Sequence, residues 1–119
     1  MNTTSGITPN IIKITKFEDG VEIELNIPSN LEYFNGHFNN QPVLPGVVQL
    51  DWAVKYAKQY LQFPVSIFKS MEVLKFQEII IPNSNVLLTL NKLSQEKFKF
   101  SYTSENAQHS SARVVLQDA

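Results

Sequence analysis

The stretch Pro45–Pro64, "PGVVQLDWAVKYAKQYLQFP", is where the chain changes its period. At ~100° per residue, Val47, Leu50, Val54, Ala57 and Leu61 fall on one narrow stripe. Trp52, Ala53, Tyr56 and Tyr60 widen that stripe past half the circumference, while Lys55, Lys58, Gln59 and Gln62 fill the remaining arc. The spacing predicts a helix that opens at Gly46, directly after Pro45, and is closed by Gln62–Pro64. A helix this apolar is expected to be mostly enclosed by other structure.

On both sides of that helix the period is two. Ile11–Phe17 ("IIKITKF") and Val21–Ile27 ("VEIELNI") alternate apolar and polar residues, and the Asp19-Gly20 pair between them predicts a hairpin. After the helix come Ser66–Phe76, Asn85–Leu93, Lys97–Ser104 and His109–Gln117, with Pro82 interrupting between the first two. About six strands and one long helix predict an α+β architecture in which an antiparallel sheet curls around the helix. No repeat or linker divides the chain, so residues 1–119 are expected to form one domain, with residues 1–9 as a flexible N-terminus.

Composition narrows the function. The chain has 119 residues, a net charge of −1 and no cysteine. That excludes a disulfide scaffold, a thiolate nucleophile and thiolate metal sites, and it provides no basic field for a phosphate backbone. Nucleic acid is therefore not an expected partner, and no metal site is expected. The first ten residues lack the charged and apolar regions of a signal peptide. No apolar run approaches the ~18 residues of a membrane span. A cytoplasmic protein is expected.

The irregular segment before the helix is chemically richer. Tyr33–Trp52 reads "YFNGHFNNQPVLPGVVQLDW" and holds one of two histidines and two of four glycines. His37 sits beside Gly36, among Tyr33, Phe34 and Phe38. Gly46 opens the helix, where unpaired N–H groups carry about half a positive charge and suit a developing anion. Asp51 lies ~7.5 Å further along the axis, at the border of the apolar and polar arcs. An imidazole, a carboxyl group and an exposed helix start are the parts needed to move a proton beside a polarised carbonyl.

Gly36-His37-Phe38, Pro42, Pro45-Gly46-Val47 and Asp51, fourteen residues after His37, resemble the signature of hot-dog 3-hydroxyacyl-[acyl carrier protein] dehydratases. Lys75–Leu90 ("KFQEIIIPNSNVLLTL") is similar to that family's downstream segment, so the likeness runs from about residue 10 to beyond residue 90. Asn39 stands where a proline usually follows His-Phe, and the Pro-His-Arg run of many full-length members has no counterpart in this sequence. The first implies a loop less rigid than the family norm, and the second places the chain nearer the short dehydratase-like proteins of aryl-polyene and polyketide-type pathways.

The resemblance implies a single hot-dog domain and a homodimer, with His37 of one subunit near Asp51 of the other. It implies that His37 removes the α-proton of a 3-hydroxyacyl thioester, Asp51 serves the departing hydroxyl, and the Gly46 N–H holds the thioester carbonyl. Phe34, Gly36, Phe38, Pro45 and Val47 would contact substrate. Asp51 would either donate a proton or, ionised, position a water or the hydroxyl. The product would be a trans-2-enoyl thioester. No cofactor is implied beyond the phosphopantetheine that the substrate carries, on acyl carrier protein or as a CoA thioester.

Two rival functions remain at this level: a hot-dog acyl thioesterase, and a non-catalytic subunit of a heteromeric dehydratase. Several further expectations follow from the residues themselves. His109 is expected at the surface, and Phe98, Phe100 and Tyr102 in the core or tunnel wall. Trp52 is expected in the core or an interface. Gln49 is expected to orient the acid or a water. The lysines Lys69, Lys75, Lys92, Lys97 and Lys99 are expected to be solvated, and if clustered could receive an acidic carrier protein.

Overall fold

The computed structural model describes residues 8–30, 42–65 and 67–118. The Asp-Gly signal forms its hairpin: β1 (Asn10–Lys16) and β2 (Gly20–Ile27) pair antiparallel, and the Phe17 N–H donates to the Gly20 carbonyl at 2.8 Å. Glycine is required at this position by close approach. A Cβ on Gly20 would come within 2.7 Å of the Leu90 carbonyl oxygen on the neighbouring strand.

The helix α1 (Gly46–Tyr60) follows, then β3 (Ile67–Phe76), β4 (Ser84–Ser94), β5 (Lys97–Ser104) and β6 (Ala107–Gln117). The strands form one antiparallel sheet in the order β1-β2-β4-β5-β6-β3. β2 and β3 are consecutive in sequence apart from the helix, yet lie toward opposite ends of the sheet. α1 therefore carries the chain across the sheet, and the expected arrangement of one helix against a wrapping sheet is what forms. The N-terminal segment expected to be flexible lies largely outside the described residues, although Pro9 is buried.

Register explains the core. Ile23, Leu88, Tyr102 and Ser110 are successive cross-strand partners, and Val21, Leu90, Phe100 and Ala112 form the next row. All eight are buried, as are Trp52, Ala53, Tyr56 and Ala57 of the helix. Phe98, Phe100 and Tyr102 are core, as their alternation predicts. Trp52 is buried against the sheet.

Two expectations are corrected here. The helix does not bury the Val47–Leu50–Val54 stripe against the sheet. The face that packs carries Val48, Gln49, Trp52, Ala53 and Tyr56, leaving Val47 72% exposed and Leu50 and Val54 half-buried. The aromatic side chains decide this orientation, because Trp52 and Tyr56 each bury far more area than a valine. His109 is also buried rather than exposed. It is the extra residue of a bulge, since Tyr102 pairs with Ser110 and Thr103 with Gln108. The bulge turns its ring inward, where Nδ1 lies 3.1 Å from the Ile79 carbonyl and Nε2 lies 2.9 Å from the Ser104 hydroxyl.

A second bulge shapes β3. Glu72 pairs with Arg113 and Lys75 with Ser111, so Val73 and Leu74 together face one residue. Val73 takes φ 51°, a left-handed conformation that a β-branched side chain adopts only under constraint. The irregularity brings Phe76 opposite Ser110, at the end of the Tyr102–Ser110 row.

Candidate active site

Among the described residues, no side chain caps the helix start. Pro45 is its N-cap and gives no side-chain cap, while its carbonyl accepts from the N–H groups of Val48 and Gln49 at 3.1 and 3.2 Å. Among the described residues, the N–H groups of Gly46 and Val47 have no acceptor. These are the donors that a helix leaves unpaired and that favour negative charge.

Gly46 opens into a groove of about 340 Å³ whose wall includes Leu44, Pro45, Phe76, Glu78 and Ile79. The Phe76 ring lies against the Gly46 backbone, and a Cβ on Gly46 would come within 2.4 Å of its Cζ. Glycine at this position makes the close approach possible. Pro45 is half-buried beside it.

Asp51 belongs to a different groove, of about 350 Å³, lined by Val47, Val48, Leu50, Asp51, Val54 and Phe68. Asp51 is exposed, and every other residue of that lining is apolar. Phe68, on β3, is 41% exposed. Among the described residues, the exposed stripe of the helix and Phe68 of the edge strand β3 thus form one apolar face, with Asp51 as its one carboxyl group.

The sequence-predicted site residues therefore divide. Gly46, Pro45, Val47 and Asp51 lie on and around the first turns of α1, but Gly46 and Asp51 line separate grooves of the chain. His37, Phe34, Gly36 and Phe38 lie outside the described residues. Gln49, expected to orient the acid or a water, instead turns inward: its Nε2 donates to the Leu44 carbonyl and its Oε1 accepts from Ser110. Sequence reasoning missed Phe76 and Glu78 as neighbours of Gly46. The only signal for them was the aromatic-polar end of "KFQE" before the Pro82 turn. Lys97 pairs with Glu72 at 3.1 Å, and Lys92 donates to the Gln62 carbonyl, so neither is a simple solvated group.

Among the described residues, no group of three or more histidine or acidic side chains could hold a metal ion, and no helix is long and apolar enough to cross a membrane.

A six-stranded antiparallel sheet around one helix that starts at Pro-Gly defines a hot-dog domain. Residues 13–113 match the family model described as ApeI dehydratase, and the chain belongs to that ApeI-like dehydratase family. It is similar to a chain of the dehydratase heterocomplex ApeI:P from Xenorhabdus doucetiae, with a TM-score of 0.81 and 33% identity over 92% of this chain and 97% of that one. An uncharacterized protein from Erwinia carotovora subsp. atroseptica gives 0.78 and 33%, covering 93% and 97%. The 3-hydroxyacyl-[acyl-carrier-protein] dehydratase FabZ of Clostridium botulinum is 28% identical over 87 residues, 66% of this chain and 60% of that protein. The chain thus spans less than two-thirds of the length of the curated relatives it matches.

Proposed function

We propose that this protein dehydrates a 3-hydroxyacyl thioester to a trans-2-enoyl thioester, as a homodimer in the cytoplasm. The substrate is carried on acyl carrier protein or CoA, and the protein itself contributes no cofactor. His37 takes the α-proton, and the Gly46 N–H holds the carbonyl oxygen as negative charge builds there. Asp51 of the partner subunit donates a proton to the hydroxyl, which leaves as water, so one turnover ends with His37 protonated and Asp51 ionised. A neutral imidazole is available as a base near pH 7 from its reference pKa of ~6.5. Positioned proton transfer typically contributes ~10²–10⁴-fold, and one oxyanion donor about 10²–10³-fold.

The observation that carries this reading is the separation of Gly46 and Asp51 into two grooves of the chain, the second lying in an uncovered apolar face. A site needing both groups is completed when a second copy covers that face and brings its own carboxyl group to the first groove.

The test uses purified protein with 3-hydroxyacyl and plain acyl thioesters. Enoyl product is expected, whereas free thiol without enoyl product would indicate a thioesterase. His37→Ala and Asp51→Ala should each remove most activity, and mixing the two inactive variants should recover part of it in mixed dimers. No recovery despite verified subunit exchange would refute the cross-subunit site. Loss with Glu78→Gln and not with Asp51→Ala would move the acid to the Gly46 groove.

A second reading is a subunit of a heteromeric dehydratase, favoured by the heterocomplex in which a similar chain was solved. A homodimer without turnover that gains activity with a second chain would support it.

A further inference from the structure

The start of α1 is held by a buried amide that the proposed reaction does not use. Gln49 is 4% exposed. Its Nε2 donates to the Leu44 carbonyl at 3.1 Å, and its Oε1 accepts from the Ser110 hydroxyl at 2.6 Å. Its backbone N–H donates to the Pro45 carbonyl at 3.2 Å, and its backbone carbonyl accepts from the Tyr102 hydroxyl at 2.7 Å. Leu44 is tied from its other side, its N–H donating to the Ile80 carbonyl at 2.8 Å.

One residue thus holds two successive carbonyls, those of Leu44 and Pro45, immediately before Gly46. The Pro45 carbonyl and the Gly46 N–H belong to the same peptide unit. A trans peptide is planar, so fixing the direction of that oxygen fixes the N–H to point the opposite way. An apolar side chain of similar length would fill the same space but would leave the Leu44 carbonyl and the Ser110 hydroxyl without these partners. Burial alone does not account for a glutamine here.

We infer that Gln49, locked by Ser110 and Tyr102, is a positioning residue that aims the Gly46 amide into its groove. The inference rests on the reading in which that amide faces the thioester carbonyl. It assigns Gln49 no contact with substrate, only control of a donor direction on which carbonyl stabilisation depends.

Gln49→Met keeps the side-chain length and removes both side-chain hydrogen bonds. Ser110→Ala removes one of them and serves if the first variant fails to fold. In the protein without substrate, amide hydrogen exchange at Val48 is expected to quicken about tenfold or more, while Leu88 and Phe100 in the sheet keep their rates. With a 3-hydroxyacyl thioester, kcat is expected to fall roughly tenfold with little change in KM, because the lost interaction belongs to the transition state. Unchanged exchange at Val48 overturns the inference. So does a loss in which sheet amides quicken together and kcat follows only the melting temperature. A wild-type protein without turnover removes the proposed function instead, and the exchange measurement then decides the role of Gln49 alone.

Discussion

The Phe76 ring rests on the Cα of Gly46, leaving no room for a side chain at the first residue of the helix. The contact joins the helix start to the bulged edge strand β3, and it sets one wall of the groove that Gly46 lines.

Gly46→Ala is expected to keep its backbone N–H and to displace the ring. Stability is expected to fall by about 1–3 kcal/mol, because the new methyl group overpacks against that ring. Turnover should also drop, by roughly 10–100-fold if the wall shifts by about an ångström. Phe76→Leu in the same chain should restore part of it. A double-mutant cycle on kcat/KM checks the coupling, and simple additivity would separate the two residues.

The uncovered face makes a prediction about association. Phe68→Glu places a charge in the apolar groove with Asp51, so the variant should sediment as a monomer while its circular dichroism stays that of a folded protein. Sedimentation velocity at several concentrations reads the result. A wild-type protein that is itself monomeric would remove the basis for a site shared between subunits.

Tyr102 makes the alkaline limb of stability steep. Burial first, then the charges of Tyr56 and Asp51, push its pKa well above the ordinary value near 10. The unfolded chain releases this proton near pH 10 while the folded one retains it. The stability is therefore fully present below that pH and is lost as pH rises from it toward the folded value. Tyr56 is shifted the same way, by burial and then by Tyr60. Tyr102→Phe should be less stable at neutral pH by about 1 kcal/mol, the usual worth of one hydrogen bond. It should also lose less stability above pH 10. Urea unfolding across pH measures both.

His109→Ala should destabilise the fold and loosen the Glu78–Ile79 wall of the Gly46 groove. It leaves a cavity beside the connection from β3 to β4 and unpairs the carbonyl of Ile79 and the hydroxyl of Ser104, together worth about 2–4 kcal/mol. Urea unfolding at neutral pH checks the magnitude. A change under half a kilocalorie would mean that solvent replaces those bonds.

The elements were legible because their periods differ: two for the six strands and 3.6 for α1, with Asp-Gly and Pro-Gly marking the breaks. The facing of the helix was not. Its apolar residues cover so much of the circumference that the stripe through Val47, Leu50 and Val54 and the face through Trp52 and Tyr56 both qualify. Which one packs depends on the shape of the sheet. His109 was misread because polar neighbours surround it, and a bulge that shifts one residue off the period leaves no trace in composition. The separation of Gly46 from Asp51 is likewise a matter of groove geometry, whereas their nearness along one helix is written in the sequence. His37 was singled out by its neighbours alone.

The place of β3 in the sheet has a consequence for synthesis. Among the described strands its single neighbour is β6, which leaves the ribosome after the other five. Until β6 arrives, the nascent chain displays Ile67, Phe68, Val73, Leu74 and Phe76 on a strand with both edges unpaired, a template for joining other chains. Slower translation at lower temperature, or a holding chaperone, should therefore raise the yield of soluble protein more than any change to the finished fold.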